Sequence, residues 1–318
     1  MHFRAATLDD LLRDLYTALM DNGVAVQATR GSNKELIGVQ LQLDSARARL
    51  SRSETRGRPF SAIGEFLWYL TRDNRLDFIS KYIPAYVSDS EDGLTVHGGY
   101  GPRIFGQRGH DQLENVIRQL KDSSTSRRAV IQIFDAEDNG KRFKEVPCTT
   151  TLQFILRNNK LHLIATMRSN DAYLGLPHDV FCFTMLQEVV ARILAVDLGS
   201  YRHFVGSMHL YDKDTPGVAR YLEEGFQRQI EMPPMPIGDP WPALKRLLDV
   251  EQVIRAGDPV DTSTLGLDPY WADLIRLLQV HFAQGDEAQL DAMRAQLTHA
   301  SYRTFVDARR ATLKTSHP

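Results

Sequence analysis

Met167-Arg168-Ser169-Asn170-Asp171-Ala172-Tyr173-Leu174-Gly175-Leu176-Pro177-His178-Asp179-Val180 joins an alternating apolar run, 161–167, to a long apolar stretch, 177–195. The first has the period of a strand and the second the length of a buried helix. Gly175-Leu176-Pro177 supplies the turn that launches the helix. An arginine–serine pair at a strand end suits a phosphate, because a guanidinium fork pairs bidentately with its oxygens. Asp179 falls in the first helical turn, where a carboxylate complements the helix dipole. On spacing alone, capping is its simplest reading.

The chain on either side keeps the same alternation of elements. Leu8, Leu11, Leu12, Leu15 and Leu19 recur at helical spacing over 7–20, and Thr7 with Asp10 makes a capping-box pattern. Residues 36–50 alternate as strands, after a turn-rich Arg30-Gly31-Ser32-Asn33-Lys34 loop. A buried helix over 61–70 turns Ile63, Phe66, Leu67 and Leu70 to one face. Residues 84–109 hold six glycines and two prolines and read as a long loop, of the length that usually carries function. A short helix over 111–121 turns Val116, Ile117 and Leu120 inward, and strands follow at 129–134, 151–156 and 201–211. Pro233, Pro234, Pro236, Pro240 and Pro242 then interrupt regular structure. Beyond them, 243–256, 270–282 and 287–297 read as charge-rich surface helices. No internal repeat is present. The expectation is an α/β catalytic domain over 1–232 with a helical C-terminal extension, 233–318, packed on it.

At 318 residues, 42% apolar and 25% charged, the composition is that of an ordinary globular protein. A net charge of −2 argues against nucleic acid or an anionic membrane as the main partner. Cys148 and Cys182 are the two cysteines, too few for a disulfide scaffold or a zinc site of paired cysteines. There is no apolar run of about 18 residues and no signal-like N-terminus, so the expected location is the cytoplasm.

Cys148, in Glu145-Val146-Pro147-Cys148-Thr149-Thr150, stands at the start of a strand, where a side chain is exposed and directed. Read alone it is more readily structural than nucleophilic, because a reactive thiolate needs cations nearby. Cys182, in Phe181-Cys182-Phe183, reads as core.

Taken together, the motifs resemble the thymidylate synthases and deoxycytidylate hydroxymethylases. Pro147-Cys148, then Arg168-Ser169 with Asp171 and Leu174-Gly175-Leu176-Pro177, then His209-Leu210-Tyr211 occur in that order and spacing, and the likeness covers about 7–215. Arg127-Arg128, Glu65 in Glu65-Phe66-Leu67-Trp68-Tyr69-Leu70, Tyr100-Gly101 and Arg30 add to it. The resemblance implies an α/β fold with a large mixed sheet flanked by helices. It implies that Cys148 adds to C6 of a pyrimidine, and that Arg30, Arg168 and Ser169 hold its 5′-phosphate. Arg127 and Arg128 would reach the phosphate of a neighbouring subunit, making a homodimer with shared sites. His209 and Tyr211 would hold the sugar hydroxyl, and Glu65 would manage protons on the base through water. Asp171, Gly175, Tyr100 and His178 would lie by the folate, 5,10-methylenetetrahydrofolate as co-substrate, with no metal. Taken singly, Arg127 and Arg128 also read as surface charge, and His209 as a core histidine.

Asp179 stands where thymidylate synthases carry asparagine. Uracil offers an N3–H donor and an O4 acceptor, which an amide matches. Cytosine offers an N3 acceptor and an N4 donor, which a carboxyl group matches by accepting from the amine and sharing a proton with N3. A carboxylate against O4 would oppose two acceptors, at a cost of roughly 1–3 kcal/mol. The expected substrate is therefore a cytidine 5′-monophosphate, with Ser169 favouring dCMP over CMP by resemblance. Tyr86 and Asp89 fall near the family's usual tryptophan positions, His178 replaces an aromatic, and the tail Thr315-Ser316-His317-Pro318 is polar where the family closes with apolar residues. Such walls admit water, which favours 5-hydroxymethylation over hydride transfer. The alternatives are a cytidylate 5-methyltransferase, a synthase acting on dUMP, and a non-catalytic nucleotide-binding relative.

Overall fold

A computed structural model describes residues 1–55, 57, 59–283 and 287–316, with side chains to 311. The tail Thr315-Ser316-His317-Pro318 lies outside the described side chains. A seven-stranded mixed sheet organises the chain. Its strands are β1 (His2–Ala5), β2 (Val24–Ala28), β3 (Gly31–Leu43), β4 (Val130–Gln132), β5 (Thr149–Arg157), β6 (Lys160–Asp171) and β7 (Asp197–Tyr211). They lie in the order β1-β3-β7-β6-β5-β4, with β2 hairpinned onto β3. The β6–β7 and β1–β3 pairs are parallel and the others antiparallel. The expected mixed α/β sheet is present.

Among the described residues twelve α-helices accompany it: α1 (Leu8–Asn22), α2 (Pro59–Leu70), α3 (Leu76–Ile79), α4 (Tyr86–Asp89), α5 (Tyr100–Phe105), α6 (Gln112–Asp122), α7 (Gly175–Ile193), α8 (Thr215–Glu223), α9 (Trp241–Arg255), α10 (Pro269–Phe282), α11 (Glu287–Gln296) and α12 (Arg303–Ser316). Thr7 caps α1 as its sequence predicts: its Oγ1 accepts from Asp10 N at 3.2 Å and donates to Asp10 Oδ2 at 2.8 Å. The leucine stripe of α1 is buried against the sheet. α7 crosses behind β6 and β7 and packs on α2. Its Phe181, Phe183, Met185, Leu186, Val189 and Val190 are fully buried, each worth roughly 1.5–3 kcal/mol in area removed from water. Cys182 is core, as expected.

Burial alternates along β3, β7 and β6, but the alternation slips near Ile37–Gly38, Gly206–Ser207 and Arg168–Ser169, which neighbour one another across the sheet. Gly38 adopts φ +68° there, a left-handed conformation that suits glycine. A Cβ on Gly206 would stand 2.8 Å from the Arg168 carbonyl oxygen. The slip lets β6 bury Met167 and, three residues on, Asn170 as well.

Two expectations are corrected. The stretch 84–109 is not plain loop: its lack of long periodicity conceals α4 and α5, each too short to show an amphipathic repeat. α10 is not a surface helix, since Tyr270, Trp271, Leu274, Ile275, Leu277 and Leu278 are buried and it packs on α2. The extension grips the rest of the chain by polar contacts too. Tyr82 OH donates to Glu251 Oε1 at 2.8 Å, and Met235 N to Glu188 Oε1 at 3.1 Å. Among the described residues no helix is long and apolar enough to cross a membrane.

Candidate active site

Pro147-Cys148 leads into β5, and β6 runs alongside it. Arg168 N donates to Cys148 O at 2.9 Å, its Nε to Pro147 O at 3.0 Å and its Nη2 to Val146 O at 3.0 Å. The guanidinium is thereby fixed, with Nη2 3.6 Å from Cys148 Sγ. The thiol is half-buried rather than exposed as its sequence position suggested. Burial pushes it up to about 12, although Arg168 and Arg30 pull the other way, while Glu145 and Asp179 add to the rise. All four charges are felt at one sulfur, so these residues lie around it.

Arg30, from the tight turn between β2 and β3, reaches the same place. Its Nη2 donates to Glu145 Oε2 at 2.7 Å and to Asp89 Oδ1 at 2.8 Å. Burial lowers its affinity for a proton, but Glu145 and Asp89 outweigh that. At the ends of β6 and β7, Ser169 Oγ lies 3.4 Å from His209 Nδ1, and the His209 and Tyr211 rings stand edge to face with centroids 5.0 Å apart. His209 is therefore not a core histidine. Arg127 and Arg128 are exposed just before β4, with no carboxylate within ion-pair distance among the described residues.

Glu65 is buried on α2. Tyr86 OH donates to its Oε1 at 3.1 Å and Tyr69 OH to the same oxygen at 3.2 Å. Burial pushes this carboxyl up to about 7 against both hydrogen bonds. Asp179 does not cap α7: Leu174 is the capping position and makes no side-chain bond. Instead Asp179 Oδ2 accepts from Asn170 Nδ2 at 2.7 Å. Burial, reinforced by the nearby charge of Glu65, holds Asp179 well above the usual carboxylate range. The charge of one buried carboxyl thus disfavours ionisation of the other.

Asp171 Oδ1 accepts from Tyr173 N at 2.8 Å and Leu174 N at 3.1 Å, shaping the turn into α7. Its Oδ2 takes no hydrogen bond among the described residues. Beside it Gly175 presents bare backbone, and a Cβ there would stand 3.2 Å from Asn170 Nδ2. His178 is turned to Ser61 Oγ at 2.8 Å, and Tyr100 OH donates to Thr149 Oγ1 at 2.9 Å. Among the described residues no group of three or more His, Cys, Asp or Glu could hold a metal ion.

Residues 12–247 match the thymidylate synthase family. The chain belongs to that family. Within it, the chain is 34% identical over 164 residues to the deoxyuridylate hydroxymethyltransferase of Pseudomonas phage M6, covering 51% of this chain and 47% of that protein. It is 30% identical over 227 residues to the deoxyuridylate hydroxymethyltransferase of Bacillus phage SP01, covering 67% and 59%. It is 29% identical over 182 residues to the thymidylate synthase of Bacillus subtilis subsp. natto, covering 54% and 63%. The matches span about half to three-fifths of these relatives' lengths.

Arg168, Arg30 and Asp179 thus gather around Cys148, with Glu65 close to Asp179, while Arg127 and Arg128 stand exposed before β4. Sequence reading missed three contributors. Tyr69 is four residues from Glu65 on α2, a spacing that marks a shared helix face. Glu145 and Asn170 were quoted within motifs but given no part, since their partners Arg30 and Asp179 meet them only through the fold.

Proposed function

We infer that this thymidylate synthase family member transfers a one-carbon unit to C5 of a cytidine 5′-monophosphate, dCMP in preference to CMP, releasing the 5-hydroxymethyl nucleotide. The observation that carries the reading is the buried Asp179 carboxyl, whose Oδ1 takes no hydrogen bond among the described residues and whose charge is felt at Cys148.

In the proposed reaction the Cys148 thiolate adds to C6, and C5 becomes nucleophilic. Arg168 is the cation nearest the sulfur and would also meet the 5′-phosphate with Arg30 and Ser169. Asp179 shares a proton with N3 and accepts from the N4 amine, where negative charge would otherwise build up. Glu65, poised near neutrality, moves protons to and from the base through water. The folate co-substrate, 5,10-methylenetetrahydrofolate, supplies the methylene carbon that C5 attacks. Asp171 Oδ2 and the flat Gly175 backbone offer one donor-accepting edge and one bare wall for a planar ring, with Tyr100 and His178 alongside. Loss of the C5 proton and of tetrahydrofolate leaves an exocyclic methylene. Water adds to that carbon, and the C6–S bond breaks to return Cys148.

The water-requiring branch is supported by the polar Tyr86 and Asp89, which bond Glu65 and Arg30, and by the hydroxymethyltransferase names of the two phage relatives. Those names favour a second reading in which the base is uracil. A homodimer is supported by the open sheet face, where Ile37 is 80% exposed and Phe204 37% beside a depression of about 770 Å³. Within 233–318, α10 packs on α2 and so supports the helix that carries Glu65.

The test is incubation with 5,10-methylenetetrahydrofolate and dCMP, CMP or dUMP, with products identified by mass. The expected product is 5-hydroxymethyl-dCMP carrying one oxygen from water, with no dihydrofolate. Turnover of dUMP alone establishes the second reading, and dihydrofolate with a methyl product overturns hydroxymethylation.

A further inference from the structure

Asn170 ends β6 and Asp179 lies on the first turns of α7, so the two meet only because the strand turns directly into the helix. Asn170 Nδ2 donates to Asp179 Oδ2 at 2.7 Å. Asn170 is 3% exposed, and its own Oδ1 is sealed from solvent with no partner. The reverse amide orientation would instead seal in an NH2 group without an acceptor, and buried orphan donors are rarer than orphan carbonyl oxygens. Among the described residues Asp179 Oδ1 takes no hydrogen bond and is not sealed, so it is the oxygen left for a ligand.

An amide nitrogen can only donate. The carbonyl oxygen of a carboxylic acid is a much better acceptor than its hydroxyl oxygen, so the Asn170 N–H is best met when Oδ2 carries no proton. The proton of the acid form is therefore driven to Oδ1, and Oδ2 stays an acceptor. We propose that Asn170 is a positioning residue that fixes this acid form of Asp179 and thereby makes the site read cytosine rather than uracil. The proposal rests on the reading of Asp179 as the residue that meets the base.

Cytosine matches the fixed form: N3 accepts from Oδ1–H, and the N4 amine donates to the second lone pair of Oδ2. Uracil opposes it twice, with N3–H facing Oδ1–H and O4 facing Oδ2. An unrestrained carboxylic acid would escape this by moving its proton to Oδ2, and would then accept both bases. Selectivity needs a neighbour that cannot reverse its own polarity. A hydroxyl in place of Asn170 could turn round; an amide nitrogen cannot. Burial and the charge of Glu65 keep the acid form of Asp179 available at neutral pH.

The experiment compares kcat/KM for dCMP and dUMP in the wild-type protein and in Asn170→Ala, Asn170→Ser and Asp179→Asn. The ratio measured on one preparation is independent of how much of it is folded, so a purely structural defect leaves it unchanged. Both Asn170 variants are expected to lose at least about tenfold of the dCMP preference. Asn170→Ala is also expected to shift the pH limb for dCMP upward, because Asp179 loses a donor that favours its ionised form. Should Asn170→Ala be insoluble, the smaller change in Asn170→Ser decides. Asp179→Asn is expected to turn the preference to dUMP. A ratio retained in the Asn170 variants while Asp179→Asn reverses it overturns the lock and leaves the base reading standing. Wild-type preference for dUMP, or retained dCMP preference in Asp179→Asn, overturns the base reading and the lock with it.

Discussion

The phenol of Tyr86, on the short helix α4, donates to Glu65 Oε1 at 3.1 Å. Burial disfavours the Glu65 anion, and this bond and that from Tyr69 favour it, leaving the carboxyl at about 7. The group is therefore half-protonated where the protein would work, which suits a residue that both gives and takes protons.

Tyr86→Phe removes one of those two donors and nothing else of comparable polarity. A hydrogen bond to an ionised group is worth roughly 1.5 kcal/mol or more, or about one pH unit. The Glu65 limb of the kcat–pH profile is expected to move up by about that amount. An unmoved limb would show that Glu65 is not the group titrating near neutrality.

Arg30 is held by the carboxylates of Asp89 and Glu145, which a phosphate would have to displace. Partly exposed pairs contribute up to about 1 kcal/mol each. Asp89→Asn and Glu145→Gln are each expected to lower the nucleotide KM by up to about fivefold. Glu145→Gln also removes a negative charge that raises the Cys148 thiol, so alkylation by iodoacetamide at pH 8 should quicken. If KM rises in both variants, Arg30 is not a phosphate ligand.

The fold was legible where one residue type repeats at one spacing, as with the leucines of α1, or where a helix is apolar throughout, as with α7. It was hidden in α4 and α5, whose few residues span about one turn each and leave no period to read. α10 was misread because its charged residues drew attention from Tyr270, Trp271 and the leucines that settle its burial against α2. In the site, Cys148, Arg168, Glu65 and Asp179 stood out as residue types, but the partners that set their protonation did not. Arg30 and Glu145 are 115 positions apart, and their bond exists only because the fold brings the β2–β3 turn against the approach to β5.

Glu188 sits fully buried on α7 and accepts from Arg47 Nε at 2.8 Å, from Arg49 Nη2 and from Met235 N at 3.1 Å. Burial would raise its pKa, but Arg49 and Arg47 outweigh burial and lower it. A depressed carboxylate stabilises the fold above its unfolded pKa and loses that contribution as pH falls through its folded value. Glu188→Gln leaves Arg49 buried without its anion, at roughly 3–5 kcal/mol. Urea unfolding at pH 7 should register that loss. At acid pH, where wild-type Glu188 is protonated too, the gap between the two proteins should narrow; a constant gap would mean that packing, not charge, sets the cost.

Arg127 and Arg128 stand exposed just before the edge strand β4, without a carboxylate partner among the described residues. A partnerless pair before a short edge strand is what a site completed by a second subunit requires. Arg127→Ala/Arg128→Ala and Cys148→Ala are each expected to be inactive when pure. Mixed after reversible denaturation, they would form hybrid dimers in which one site takes its cysteine from the arginine-less subunit and its arginines from the cysteine-less one. That site holds every required group, while the other holds neither, so activity should return in the mixture alone. If mixing restores nothing although sedimentation shows hybrid dimers, the two arginines serve their own subunit, and the shared-site reading falls while the chemistry at Cys148 stands.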